Sequence, residues 1–414
     1  MKINTGDTAW VLTATALVLF MTPGLAFFYG GMVRAKNILA MLMQNFFAMG
    51  IVAVLWVFVG YSLAFGDIGN GGLIGNFDFV GLKGLGSELA PGGLGAIPAL
   101  LFVAFQLTFA VITPALITGS IADRMKFGAW VGFIALWSIL VYSPVAHWIF
   151  AGGWLAERGA LDFAGGAVVH VNAGAAALVL CIILKARRNW PKEAMPPHSL
   201  PLTLLGTGIL WFGWFGFNAG SALGANGVAA QAFINTFVAA SAAMLTWLIA
   251  ERIKGGHATT LGAASGAVAG LVAITPCAGF VGAVPSIIIG GIAGVICYLA
   301  ISLKFKFGYD DSLDVVAVHL VGGLLGSILL GLFADASVNP AGKDGVFYGG
   351  GWSLFGEQVL AVAAVFAFSA VVTAIIAYAL KAVMPGGIRV SEEDEQVGLD
   401  LTQHSEQGYA LERV

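Results

Sequence analysis

Two histidines stand at the same distance behind an aspartate, Asp162-x7-His170 and Asp311-x7-His319, each inside a run of apolar residues. Imidazole takes up or releases a proton near neutral pH and also ligates metals. A polar group set deep in hydrocarbon costs several kcal/mol unless it finds a partner. Two such groups at matching places point to one polar site where two halves of a repeated fold meet, which is where transporters hold their substrate. Counted as helix, eight residues carry His170 about 12 Å beyond Asp162. A metal is not expected at the pair: a third ligand at a suitable spacing is missing, and so is any His-Glu-x-x-His element. The stretch Leu161-Asp162-Phe163-Ala164-Gly165-Gly166 favours Asp162 as a helix cap over a direct substrate ligand. His147 has no counterpart in the second half and reads as a satisfied core residue.

Aromatic residues form the third element. Phe105 and Phe109 are four apart and share a helix face. Span six ends in Trp211-Phe212-Gly213-Trp214-Phe215-Gly216-Phe217-Asn218-Ala219-Gly220-Ser221. Anchoring at a membrane interface accounts for most such rings. It does not account for rings, a hydroxyl and a carboxylate converging on one side. Aromatic faces attract cations by about 0.5 to 2 kcal/mol, and a hydroxyl can accept a hydrogen bond from a donor-rich cation.

The elements that must position these groups are membrane spans. The chain is 59% hydrophobic and only 10% charged, against roughly 25% charged in a soluble domain. An integral membrane protein follows. A bilayer core of about 30 Å takes roughly 20 helical residues. Eleven spans are predicted: Trp10–Met32, Ile38–Phe65, Ile97–Ile121, Gly128–Phe150, Ala167–Leu184, Leu200–Gly220, Ala229–Ala250, Thr259–Ile274, Val281–Leu303, Val315–Phe333 and Leu354–Ala382. A β-barrel is excluded because its strands are short and alternate apolar with polar. Glycines inside these runs, such as Gly290-Gly291 and Gly322-Gly323, would let helix backbones touch. The cysteines Cys181, Cys277 and Cys297 form no CxxC pair, so neither a disulfide framework nor a zinc site is expected. Met1–Trp10 runs straight into a long span, which is not the pattern of a cleaved signal peptide.

With the N-terminus outside, every lysine and arginine except Lys2, Lys83, Arg158 and Lys343 falls on the inner side, including Arg413 in the tail. The positive-inside rule therefore supports an outside N-terminus and an inside C-terminus. Five spans per half plus one extra make the second half inverted. Asp-x7-His, Ile112-Thr113-Pro114 against Ile274-Thr275-Pro276, and the glycine- and aromatic-rich ends of spans one and six mark the correspondence. The expected units are a membrane domain over 1–385 (repeats at about 8–190 and 200–335, the last helix at about 354–382) and a cytoplasmic tail over 386–414. The tail's acidic run Glu392–Glu395 reads as a solvated segment.

Several long motifs in order carry a resemblance. They are Thr22-Pro-Gly-Leu-Ala-Phe-Phe-Tyr-Gly-Gly-Met-Val-Arg34, Ile121-Ala-Asp-Arg-Met-Lys-Phe127, Asp162-Phe-Ala-Gly-Gly-Ala-Val-Val-His170, Trp214-Phe-Gly-Phe-Asn-Ala-Gly-Ser221, Asp314-Val-Val-Ala-Val-His319 and Val397-Gly-Leu-Asp-Leu-Thr-Gln-His-Ser-Glu-Gln-Gly-Tyr409. From Thr8 to Tyr409 the chain resembles the ammonium transporter (Amt/Mep/Rh) family, closer to its Amt branch. The resemblance implies a homotrimer in the cell membrane (plasma or bacterial inner), with one conduction path for ammonium or ammonia per subunit. It implies no enzyme activity, no cofactor, no metal and no nucleic acid, with membrane lipid around the spans. A PII-type signalling protein is a possible cytoplasmic partner by the same resemblance. By motif, Phe109 and Ser221 fall on the outer recruitment site with Asp162 in support. Phe109 and Phe217 are the paired rings below it, with Phe105 nearby. His170 and His319 line the lumen, Trp214 lies beside the path, and Thr275 is pore-adjacent. The family commonly has a tryptophan twelve residues before the aspartate, where this chain has Phe150; Trp148 and Trp154 are out of register. Phenylalanine is the weaker cation–π partner and has no N–H. The rival reading from another class is an ammonium sensor of the same fold that signals through a cytoplasmic partner. A metal-dependent membrane enzyme built on the histidine pair is the third.

Overall fold

The structure, a computed structural model, describes residues 2–86 and 88–409; Arg413 lies outside the described residues. Among those residues ten helices are long and apolar enough to cross a membrane, and one apolar helix is shorter. In chain order they are α1 (Thr5–Met32), α2 (Ala35–Phe65), α3 (Ala99–Ile121), α4 (Phe127–Arg158), α5 (Gly166–Leu184), α6 (Leu200–Gly220), α7 (Gly227–Gly255), the shorter α8 (Thr260–Ile274), α9 (Ala283–Phe307), α10 (Val316–Phe333) and α11 (Ser353–Val383). Ten of the expected spans fall on helices of crossing length and the eighth, Thr259–Ile274, on the shorter α8; helices suit hydrocarbon because every backbone N–H and C=O is satisfied within its own segment. The chain is a multi-pass membrane protein.

Small residues set how closely the helices approach. α1 packs along α6, and a side chain on Gly206 would meet the Gly24 carbonyl oxygen at 2.6 Å and the backbone of Phe28. Of the two glycine pairs singled out above, one member each makes the close approach. Gly290 abuts the backbone of Ala239, and a Cβ on Gly323 would stand 2.9 Å from the Gly166 carbonyl oxygen and 3.0 Å from His170 Cβ. Gly291 and Gly322 meet only side chains, at 3.6 Å and 3.1 Å or more.

The two histidine helices run in opposite directions. α3 serves as the ruler: residues of its first half share a cavity with Asp162. Arg124, just past its other end, donates to Ser312 beside Asp311 at 2.6 Å. α5 starts at the Asp162 end and α10 at the Asp311 end, as an inverted repeat requires of this pair.

Both helices open in a π-helical turn, Gly166–Val171 and Val316–Leu320, and each turn contains the histidine. This corrects the axial reading of Asp-x7-His. Asp162 precedes the helix, separated from it by Gly165 at φ +120°, and the wider turn does not rise as an α-helix does.

At the Asp311 end the chain after α11 returns to the loops. Short helices α12 (Glu392–Val397) and α13 (Leu399–His404) dock there. Leu399 N–H donates to Asn37 Oδ1 at 2.8 Å and Ala40 N–H to Asp400 Oδ1 at 2.8 Å. The reading of 392–395 as solvated fails at Glu395. That residue is 1% exposed, bridges to Arg389 at 2.8 Å and accepts the Arg188 backbone N–H at 2.7 Å. Beside it, Asp310 pairs with Arg187 at 2.8 Å. Burial drives the Asp310 carboxyl up, but the Arg187 bonds and the Arg124 charge outweigh it and hold it below the usual range.

Candidate functional site

At the Asp162 end, a cavity of about 190 Å³ is lined by Phe102, Phe105, Gln106, Phe109, Phe150, Asp162, Ser221 and neighbouring apolar side chains. One water needs about 10–15 Å³ of such space, so the cavity has room for a partly hydrated ion. Five segments build it: the loop at Leu94, the first half of α3, α4 at Ile149–Phe150, the turn at Asp162–Phe163, and the turn that closes α6.

Asp162 is the cap it was expected to be. Its Oδ1 accepts from Gly165 and Gly166 at 2.8 and 2.7 Å, and its Oδ2 from Ala167 and Val168 at 2.8 and 3.1 Å. These are orphan donors of a helix start, and the carboxylate takes four of them. Phe163 N–H donates to the Pro276 carbonyl at 3.1 Å, which ties this turn to the end of α8. Asp311 repeats the role more thinly, accepting from Val316 at 2.7 Å while its Oδ1 has no partner. Burial first, and then the Asp314 carboxylate, push the Asp311 carboxyl above its ordinary range.

Ser221 follows the last residue of α6, and its hydroxyl donates to the Phe217 carbonyl at 2.8 Å. Its oxygen lone pairs are left for a ligand donor. Phe150 occupies the cavity wall, edge-on to Phe109 with ring centroids 6.5 Å apart. Neither nearby tryptophan substitutes for it. Trp148 donates to the Leu73 carbonyl at 2.7 Å, and Trp154 packs edge-on against Trp148 at 5.6 Å. Phe105 meets Phe109 edge-on as well, at 5.0 Å.

Below the cavity, Phe109 and Phe217 lie 4.3 Å apart between centroids at 35°. That separation leaves no room for water between the rings. Beyond them is a void of about 10 Å³ lined by Met21, Leu25, Ile112, Leu116, His170, Trp214, Phe217 and His319 among others. A void of this size is at the lower limit for one water molecule, and its only polar side-chain groups are the two imidazoles and the indole.

The histidines meet there with Nδ1 atoms 3.2 Å apart and rings nearly parallel, centroids 5.2 Å apart at 19°. One Nδ1 must donate and the other accept, so the pair shares a single proton along that line. The donor ring then has a bare Nε2 and the acceptor ring an Nε2–H. His170 Nε2 has no partner. Trp214 stacks on His170 at 5.5 Å, and its indole N–H donates to Thr275 Oγ1 at 2.9 Å. Thr275 donates onward to the Leu271 carbonyl at 2.7 Å. Thr275 therefore does not face the lumen; it holds the tryptophan that does. His147 fits its core reading, with both ring nitrogens 3.0 Å from the carbonyl oxygens of Ala64 and Gly71. Among the described residues no third His, Cys, Asp or Glu joins the histidine pair to form a metal set.

Sequence reasoning missed Gln106 in the cavity. Its signal was a lone amide between Phe105 and Phe109 in an otherwise apolar span. It also missed the apolar lumen walls, which nothing in their composition distinguishes from other helix residues.

A bundle of membrane-spanning helices enclosing a capped, aromatic-walled cavity, a ring gate and a narrow histidine lumen defines a membrane transport protein for a small solute. The profile of the Ammonium Transporter Family matches residues 9–409. An ammonium transporter of Mycobacterium bovis is 52% identical over 98% of this chain and 90% of its own. The crystal structure of Candida albicans Mep2 superposes with a TM-score of 0.91 at 35% identity, covering all of this chain and 94% of that one. A structure described as a sensor Amt protein matches with a TM-score of 0.87 at 28% identity, covering 96% and 98%. The chain belongs to the ammonium transporter family.

Proposed function

We propose that the protein recruits ammonium in the cavity, removes its proton at or above the ring gate, and passes ammonia along the histidine lumen while the pair carries the proton. The observation that supports this most is the change in scale across the Phe109–Phe217 gate, from about 190 Å³ to about 10 Å³. A cation stripped of water in an apolar void of that size is costly, whereas neutral ammonia is not. The Nδ1–Nδ1 contact supplies a route for the proton: the bare Nε2 of one ring accepts it, the shared proton shifts across 3.2 Å, and the Nε2–H of the other ring releases its own. Trp214, held by Thr275, keeps the His170 ring in the plane that this contact requires.

In this reading the Asp162 end is outside and the Asp311 end inside, with eleven crossings, a membrane domain to residue 385 and a cytoplasmic tail from 386. The inside-facing basic residues and the docked tail support that orientation. The family likeness over the whole chain supports a homotrimer, and the tail's contacts with the Arg34–Asn37 and Arg187–Arg188 loops give a PII-type protein a surface to act on. Currents on solid-supported membranes test the mechanism. Ammonium-evoked currents are expected in wild type and lost in His170→Ala/His319→Ala; undiminished, ammonium-selective currents in the double variant would sink it. A sensor role is the second reading, favoured by Phe150 in the recruitment wall and by the likeness to a sensor Amt structure. A sensor without transport gives no current in purified proteoliposomes.

A further inference from the structure

Gln106 sits on α3 between Phe105 and the gate ring Phe109, and its side chain lines the same cavity as Phe109, Phe150, Asp162 and Ser221. It is 8% exposed, and its amide oxygen has no hydrogen-bond partner among the described residues. Buried amide oxygens in folded proteins are almost always paired, and this one, tucked behind the cavity surface on a lining side chain, is not. The cavity's own side chains cannot provide a donor. Phe102, Phe105, Phe109, Phe150, Leu94 and Leu223 have no polar hydrogen; the Ser221 hydroxyl is committed to the Phe217 carbonyl; Asp162 only accepts. With the Gln106 amide turned so that its oxygen faces inward, the site presents acceptors and aromatic faces, the complement of a cation rich in N–H donors. The terminal torsion of glutamine is broad and two-fold, so a half-turn exchanges the positions of the amide oxygen and NH2 and presents the oxygen to the cavity.

We propose that Gln106 is a recognition residue for the substrate cation, its amide oxygen accepting one N–H of the ammonium ion that Ser221 and the faces of Phe109 and Phe150 also hold. With Phe150 in place of a stronger cation–π ring, a second oxygen acceptor carries more of the binding. The inference rests on the recruitment reading above. Ammonium titrations of solid-supported-membrane currents test it in Gln106→Leu, Gln106→Met and Gln106→Glu, with Ser221→Ala alongside. Each variant is first checked for wild-type elution in detergent, and the methionine, close to glutamine in length, stands in if the leucine fails to fold.

Loss of one charge-assisted hydrogen bond raises the half-saturating ammonium concentration about tenfold in Gln106→Leu or Gln106→Met. Gln106→Glu, which keeps an acceptor and adds a negative charge, lowers it or leaves it at the wild-type value. No shift in the apolar variants, with a rise in Ser221→Ala, overturns the role of Gln106 and spares the recruitment cavity. No shift in any variant, Ser221→Ala included, overturns the recruitment reading itself. A rise in Gln106→Glu equal to that in Gln106→Leu shows a packing role and also overturns the proposal.

Discussion

Replacing Asp162 with asparagine keeps the shape of the side chain and removes one acceptor. The native carboxylate takes four backbone N–H groups, two on each oxygen. Whichever oxygen becomes NH2, two of these bonds are lost and two N–H groups face another donor. Hydrogen bonds to a charged acceptor contribute about 1.5–3 kcal/mol each, so the change costs about 3–6 kcal/mol. That is a large part of the roughly 5–15 kcal/mol that holds a typical protein folded. The loss falls on the first turn of α5, the π turn that holds His170. Asp162→Asn is therefore expected to lower the melting temperature in detergent by on the order of 5 °C and to abolish the ammonium current together with it. The paired assay is thermal unfolding and solid-supported-membrane current on one preparation. A melting temperature within about 1 °C of wild type, with only the ammonium affinity reduced, would refute the capping argument and make Asp162 a substrate ligand.

Two further outcomes follow from packing and from the wall of the cavity. Phe150→Trp adds a stronger cation–π face, and a gain of about 0.5–1 kcal/mol should lower the half-saturating ammonium concentration by about two- to fivefold; an unchanged titration would remove residue 150 from the recruitment wall. Gly323→Ala drives a methyl against the Gly166 carbonyl oxygen at 2.9 Å and His170 Cβ at 3.0 Å. It is expected to reduce the maximal current at saturating ammonium, while Gly291→Ala, with Thr246 Cγ2 at 3.6 Å, leaves it intact.

Much of this protein was legible in the residues alone. Spans reveal themselves because hydrocarbon demands long, continuous apolar helices, so composition by itself locates them. His170 and His319 are legible for the converse reason: a polar side chain inside such a run needs a partner, and the repeated spacing says that the partner is the other histidine. Asp162 reads as a cap from the glycines that follow it.

Other features depended on contacts between residues far apart in the chain, which no local pattern encodes. The π turns that hold both histidines, Gly166–Val171 and Val316–Leu320, were not anticipated by the α-helical count of the spacing. Thr275 was pore-adjacent by motif, and its partner there, the indole of Trp214, came only from the bundle, which decides which face of α8 meets α6. Glu395 looked solvated in a run of acids, yet Arg389 and Arg188 bury it. Gln106 was one amide among apolar neighbours until the fold placed its side chain in the cavity wall with Ser221, its oxygen buried and unpartnered. The sequence by itself determined the membrane class, the inverted halves and the histidine pair, since the cost of polarity in lipid is a one-dimensional signal. Tertiary structure decided the gate, the cavity and its acceptors, since those exist only where distant side chains converge.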